Sequence, residues 1–345
     1  MKNRIAAAVA AMAIGAVSAS AYDVKVDGIY YNIIDGEYLE VTAIVDYNID
    51  YSSEYRGVAP KSAKLTPNDY AGDIVIPELV DVDGFDDPLP VRSIRQGAFN
   101  NAHNLVSVKL PFSIRQIGTG AFAESSIRML DMSNANLVAI PDWLCYLCGD
   151  LKVVELPSGI TEIGDGAFSI SGIRKLKIPA SVKSIGTQAF SRCEDLREIE
   201  GGQSVEEFCI YSFDGTNIGT VFIYDAATTF SGTVYGNNKS LQNVICYKSE
   251  PDNFWSSYSM DWVFYGSNPD CTLWVPDESL ELYKASERWT SFFTDIRPLS
   301  QSGIESAVAA DDEAAPALFD LLGRRVTAPV QGRIYVGSDG RKVRY

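Results

Sequence analysis

A chain of 345 residues that is 46% hydrophobic and 21% charged is long enough to bury a sizeable core and too apolar for disorder to be its resting state. Its formal net charge of −16 repels a phosphate backbone and excludes nucleic acid as the natural partner. No stretch approaches the roughly 20 uninterrupted apolar residues of a membrane span, and the six cysteines are too sparse for a disulfide-dense scaffold.

Residues 1–21 combine Lys2 and Arg4, an apolar run from Ile5 to Val17 and the small-residue end Ala19-Ser20-Ala21, which is the pattern of a signal peptide cleaved before Tyr22. The protein is therefore expected to be exported, to the cell surface, the medium or the periplasm. No cysteine follows the cleavage point, so no lipoprotein anchor is expected, and losing Lys2 and Arg4 makes the mature chain still more acidic. Residues 22–73 form an expected β cap, with alternation through Ile29–Ile33 and Tyr38–Val41 about the turn residues Asp35-Gly36, the signal of a hairpin. Tyr51–Asp69, with Pro60 and Pro67 and few apolar residues, is expected to be a long surface loop.

Between residues 74 and 298 the text repeats. An Ile followed five residues later by Phe occurs as Ile94/Phe99, Ile117/Phe122, Ile140/Cys145, Ile163/Phe168, Ile185/Phe190 and Phe208/Phe213, in steps of 23, 23, 23, 22 and 23. The copies share an L-x-x-L-x-L core, seen in Leu105/Val108/Leu110, Leu151/Val154/Leu156 and Ile173/Leu176/Ile178, with a weaker copy at Leu241/Val244/Cys246. That period and core are the leucine-rich repeat signature. The fold class expected is a mainly β, right-handed solenoid of short strands with little helix, each coil too small to bury its apolar side alone. Phe99, Phe122, Phe168, Phe190 and Phe213 should line up as an aromatic spine. Pro111, Pro157 and Pro179 should end the strands, and Gly118, Gly164 and Gly186 should mark tight bends.

The motif I-G-x-x-A-F-x-x-C-x-x-L-x-x-I-x-x-P, carried here by Gly164–Phe168 and Ala189–Cys193, resembles the BspA-like leucine-rich repeat family of exported bacterial proteins common in Bacteroidetes. Val26–Tyr31 and Tyr70–Pro77 resemble the N-terminal cap of such proteins. The resemblance spans about Tyr22 to Pro298 and implies binding or adhesion at the cell surface, without a ligand site that transfers residue by residue.

In this register Cys148 and Cys193 fall three residues before a strand, Cys145 replaces a spine Phe and Cys246 takes a strand core position, so buried thiols are expected rather than a redox or zinc centre at Cys145-x-x-Cys148. A bridge between Cys209 and Cys271 stays open. Residues 255–289 hold Trp255, Trp262, Trp274 and Trp289, either a lid on the last repeat, with one short helix near Ser279–Ser286, or an aromatic glycan-binding surface. Residues 299–317 are small and acidic, a linker. Residues 318–345 form an expected small β module that resembles the C-terminal sorting tails of exported Bacteroidetes proteins.

No catalytic constellation, metal set or cofactor motif emerges. The single His103 stands alone before a strand, and HExxH, P-loop and GxGxxG patterns are absent, so a hydrolase is only a remote alternative and no cofactor is expected. Function is placed instead on the residues between the core positions of each strand: Lys109, Met129, Asp131, Val153, Glu155, Lys175, Lys177, Glu198, Glu200 and Phe222. They make a mixed, two-signed stripe suited to a protein or glycan on a host or neighbouring cell surface.

Overall fold

The computed structural model describes residues 22–43, 68–251 and 260–303, together with four short strands of the C-terminal tail. The expected signal peptide, Trp255, and most of the expected 51–69 loop and 299–317 linker lie outside the described residues.

The chain opens on the expected hairpin, in which β1 (Val24–Val26) and β3 (Tyr38–Thr42) flank β2 (Ile29–Ile34), all antiparallel. After β4 (Ala71–Val75) and β5 (Leu79–Val80), β6 (Leu89–Ile94) joins β3 in parallel, which ties the cap to the coils that follow. Tyr31, Leu39, Val41 and Val91 fill the space beneath this sheet and are at most 1% exposed.

Each later turn of chain contributes one longer strand and one of two residues: β7 (Asn104–Lys109) and β8 (Gln116–Ile117), β9 (Met129–Asp131) and β10 (Ala139–Ile140), β11 (Val153–Glu155) and β12 (Glu162–Ile163), β13 (Lys175–Ile178) and β14 (Ser184–Ile185), β15 (Glu198–Gly201) and β16 (Glu207–Phe208), β17 (Thr220–Ile223) and β18 (Thr229–Phe230). The longer row continues through β19 (Asn243–Cys246), β20 (Thr272–Val275) and β21 (Asp295–Pro298). Pairing within both rows is parallel and in register with the repeat, so Ile163 meets Ile140 on one side and Ile185 on the other. Alternation explains the arrangement: in β13, Leu176 and Ile178 are buried while Lys175 and Lys177 are exposed, so a coil hides one side only by stacking.

The aromatic spine forms and runs further than the spacing predicts. Phe99 and Phe122 stack at 4.8 Å, Phe168 and Phe190 at 5.3 Å, and Phe190 and Phe213 at 5.2 Å. Tyr70 extends it before Phe99, and Tyr235 and Phe264 extend it beyond Phe213. Cys145 interrupts it; the same coil carries Trp143, 5% exposed, whose ring lies where a Cβ on Gly166 would collide.

Two residues per coil are left-handed, two before and two after the spine position. Gly97, Gly120 and Gly166 take the first place with φ of 60–66°, but Trp143, Gln188 and Tyr211 also hold it at 56–60°. The second place is filled by Asn101, Glu124, Leu147, Ile170, Arg192 and Asn237 at 53–58° and by Gly215 at 68°. Ile170 is the costly one, because a β-branched side chain crowds the following carbonyl there. The expectation that Gly118, Gly164 and Gly186 mark bends needs correcting, since a Cβ on Gly118 would collide with the backbone nitrogen of Gln96. A Cβ on Gly164 would stand 2.8 Å from the backbone of Ile140 and Asp142, and one on Gly186 2.7 Å from Gly164, so close approach to the preceding coil is what excludes a side chain.

Three residues after the spine lies a buried polar ladder. The Cys148 and Cys193 thiols each donate to a carbonyl one coil back, Phe122 and Phe168, at 3.0 Å. Asn238 fills the same place and donates to Phe213 O at 3.1 Å, and Ser267 donates to Tyr235 O at 2.7 Å. The repeated cysteine is thus one of several small donors that satisfy an otherwise stranded carbonyl. All six cysteines are free thiols, so Cys209 and Cys271 are not bridged.

The one short helix expected near Ser279–Ser286 is α2 (Leu280–Ala285), and among the described residues two more flank it, α1 (Met260–Val263) and α3 (Glu287–Thr290). They bring Tyr283 and Trp289, both fully buried, over the last coils, where Tyr283 Oη donates to Lys248 O at 2.9 Å and Trp289 Nε1 to Pro251 O at 2.7 Å. In the tail β22 (Leu318–Phe319), β23 (Arg325–Val326), β24 (Ile334–Gly337) and β25 (Lys342–Arg344) form an antiparallel sheet ordered β23-β22-β24-β25.

Candidate functional site

The longer strands set the expected face residues in two rows. Ser107, Met129 and Val153 are successive register partners, as are Lys109, Asp131 and Glu155. Lys175 pairs with Glu198 and Lys177 with Glu200. Thr220 and Phe222 open the last block, which continues through Asn243 and Ile245, Thr272 and Trp274, and Asp295 and Arg297. Sequence spacing missed this continuation, although the weak copy Leu241/Val244/Cys246 already placed Asn243 and Ile245 between core positions. It also missed the start of the row, where Asp73 and Val75 face Ser107 and Lys109.

The ten candidates are not equally available. Met129 and Val153, side by side, are each 42% exposed, and Lys109, Glu155, Lys175, Lys177, Glu198 and Glu200 are exposed. Asp131 and Phe222 are half-buried. Lys175 Nζ lies 3.1 Å from Glu198 and 2.5 Å from Glu200, and Lys109 Nζ lies 3.5 Å from Asp131. The Glu200 and Glu198 carboxylates raise the Lys175 ammonium above its ordinary value. Against partial burial, hydrogen bonds from Ser133 and the Lys109 charge hold Asp131 below the usual carboxylate range. Among the described residues Lys177 makes no ion pair, so the pairing leaves it as the freer cation of the stripe.

Toward the last coils the face turns aromatic. Phe222 and Tyr224 lie 6.1 Å apart and Tyr224 and Tyr247 5.4 Å, both stacked. Trp274 is 8% exposed, donates Nε1 to Asn243 Oδ1 at 2.8 Å and carries the Arg297 guanidinium 5.7 Å from its ring. Of the tryptophans first considered for glycans, Trp274 and Trp289 are buried, while Trp262 is 53% exposed and stacks 6.0 Å from Tyr265, which is 61% exposed.

Chemistry is poorly supplied. His103 is exposed on its loop, and among the described residues no three His, Cys, Asp or Glu side chains gather as metal ligands would. Burial pushes the Cys193 and Cys246 thiols up to about 11 and Cys271 up to about 12, which suppresses the nucleophilic thiolate. No helix among the described residues is long and apolar enough to cross a membrane.

The model of the BspA type leucine rich repeat region matches residues 83–193 and 167–258, in six copies. Among solved structures, a leucine-rich repeat protein from Bacteroides ovatus is 19% identical over 81% of this chain and 77% of its own, with a TM-score of 0.40. A leucine rich cell surface protein from Faecalibacterium prausnitzii is 15% identical over 83% of this chain and 96% of its own, at 0.28, and the pneumococcal vaccine antigen PcpA is 13% identical over 80% and 98%, at 0.26. No curated protein matches the chain significantly.

Proposed function

The chain belongs to the BspA-type leucine-rich repeat family, and from that premise we propose that it is a non-catalytic, exported protein that binds a macromolecule, a protein on a host or neighbouring cell surface, through its longer-strand face. The observation that carries this is the adjacent, exposed pair Met129 and Val153, set in register among Lys109, Asp131 and Glu155. An apolar centre within a charged rim is the composition of a protein interface. Export rests on the leader-like residues 1–21.

The test is direct binding of the mature chain to a panel of immobilised extracellular-matrix proteins. Replacing Met129 and Val153 together by Ser should weaken binding to any partner so found by tenfold or more, since two central apolar contacts carry about 1–2 kcal/mol each. Lys177→Glu should weaken it less. A partner whose affinity is the same for all three proteins refutes the reading.

A second reading, glycan binding, is favoured by one observation, the exposed stacked pair Trp262 and Tyr265. It requires binding on a glycan panel that Trp262→Ala abolishes and that the Met129/Val153 variant leaves intact.

A further inference from the structure

Among the described strands, the longer-strand row ends at β4. β4 is bonded to β7 on one side and, among the described strands, to none on the other. Ile76 N donates to Lys109 O at 3.0 Å, and Val75 is the register partner of Lys109. In a parallel ladder this sends the N–H and C=O groups of Ile74 and Ile76 toward β7 and those of Asp73 and Val75 outward. Ala71, Asp73 and Val75 are exposed, Val75 at 68%. A bare edge with an apolar side chain is a template for another strand.

Along this edge runs a cleft of about 560 Å³ between β4 and the turn that joins β1 to β2. Its charged lining is Asp27, Asp69, Asp73 and Asp81 against Lys25 alone. Lys25 is already engaged, donating to Tyr30 Oη at 2.7 Å, and Tyr30 donates in turn to Asp69. Leu79, 55% exposed, lies with Val75 in the same lining. A second copy is a poor occupant, because it would bring the same aspartates and a net charge of −16 against themselves.

We propose that the β4 edge binds an extended, basic peptide segment of a partner protein as an added β-strand. Main-chain hydrogen bonds to Asp73 and Val75 would hold the segment, aliphatic side chains would cover Val75 and Leu79, and Lys or Arg on the other face would meet the aspartates. This site is separate from the strand face around Met129.

The experiment titrates the full mature chain with a fluorescent, N-acetylated heptapeptide that alternates lysine and valine, at low salt and at 0.5 M salt. Three controls accompany it: the same peptide with its central valine replaced by proline, the glutamate–valine analogue, and protein variants. Val75→Pro removes one outward N–H while leaving the bonds to β7, and thermal unfolding checks that it folds; Asp27→Asn with Asp81→Asn removes two exposed charges. The proposal expects salt-sensitive binding that drops at least tenfold for the proline peptide, vanishes for the glutamate analogue and drops threefold or more for each protein variant, Val75→Pro through a lost main-chain hydrogen bond and the asparagine pair through lost charge. Equal binding of the lysine and proline peptides would mean attraction to an acidic surface without strand addition and overturns it. So does equal binding of the glutamate analogue, or no binding of the lysine peptide at millimolar concentration.

Discussion

Phe168→Ala tests whether stacking of the spine holds the solenoid together. The ring is fully buried, with Phe190 stacked at 5.3 Å on one side and Cys145 at the spine position of the coil on the other. Truncating a buried Phe costs about 3–5 kcal/mol in lost transfer energy and cavity, and about 0.5–1.5 kcal/mol of that belongs to the single ring–ring contact. Because each coil touches only its neighbours, the loss weakens two interfaces at once in the middle of the stack. Guanidinium unfolding followed by both tryptophan fluorescence and far-UV circular dichroism should therefore show an earlier midpoint and a transition that splits between the probes. Phe168→Leu, which keeps most of the volume, should cost under about 2 kcal/mol and stay cooperative. An Ala variant within about 1 kcal/mol of the parent, or no better tolerated Leu variant, would refute the spine as the source of cohesion.

Ile170→Asn should raise the melting temperature by a few degrees, because Ile170 holds φ at 57° where Asn101 and Asn237 sit in equivalent places and left-handed backbone costs a branched residue about 1–2 kcal/mol; calorimetry reads it. Thiol titration of the native chain at pH 8 should release no more than the half-buried Cys209, and all six thiols on unfolding, since the other five are buried. Cys193→Ser should be close to neutral and Cys193→Val destabilising by about 1–2 kcal/mol, because the Phe168 carbonyl loses its thiol donor. Stability should fall above pH 9. Cys193 and Cys246 are raised to about 11 in the fold from an ordinary 9.0, so each stabilises the fold fully below pH 9 and withdraws about 1.4 kcal/mol per pH unit until its folded value is reached. Replacing both with Ser should flatten that slope in urea titrations at pH 8, 9 and 10.

The architecture was legible because stacking forces one spacing on every coil. Ile94 through Phe208 could be aligned from their steps alone, and the spine and the buried cysteines follow from that alignment, while the hairpin about Asp35-Gly36 was legible from its own alternation. The continuation of the spine was hidden in two ways: at Tyr235 by a change of residue, since Phe230 and Tyr235 keep the five-residue offset with Phe in the Ile slot and Tyr in the Phe slot, and at Phe264 by a change of place, since it comes 29 residues after Tyr235. The left-handed residues were not read from the sequence: Gly118, Gly164 and Gly186, expected at bends, are not among them, and Trp143, Gln188 and Tyr211 carry no sign of it. The outer edge of β4, which no described strand covers, was invisible for another reason, since an edge is a property of what stands beside a strand and leaves no trace in its own letters.

The stripe between core positions divides once its contacts are known. Lys109 with Asp131, and Lys175 with Glu198 and Glu200, pair across neighbouring coils at 2.5–3.5 Å; off the stripe the same device recurs in Lys183 with Glu206, and Lys152 reaches past one coil to Asp195. Such exposed pairs contribute little each, about 0–1 kcal/mol, yet they set like charges apart along a stack whose geometry would otherwise bring identical positions within one strand spacing. A partner that used Lys175 would have to break two contacts before making one. Variation between coils at these positions is therefore accounted for by the stack itself, and what it leaves unexplained is narrower: the uncovered Met129 and Val153, and in the neighbouring row Glu155 and Lys177, which make no ion pair among the described residues. A ligand that reads this face is expected to touch those residues first.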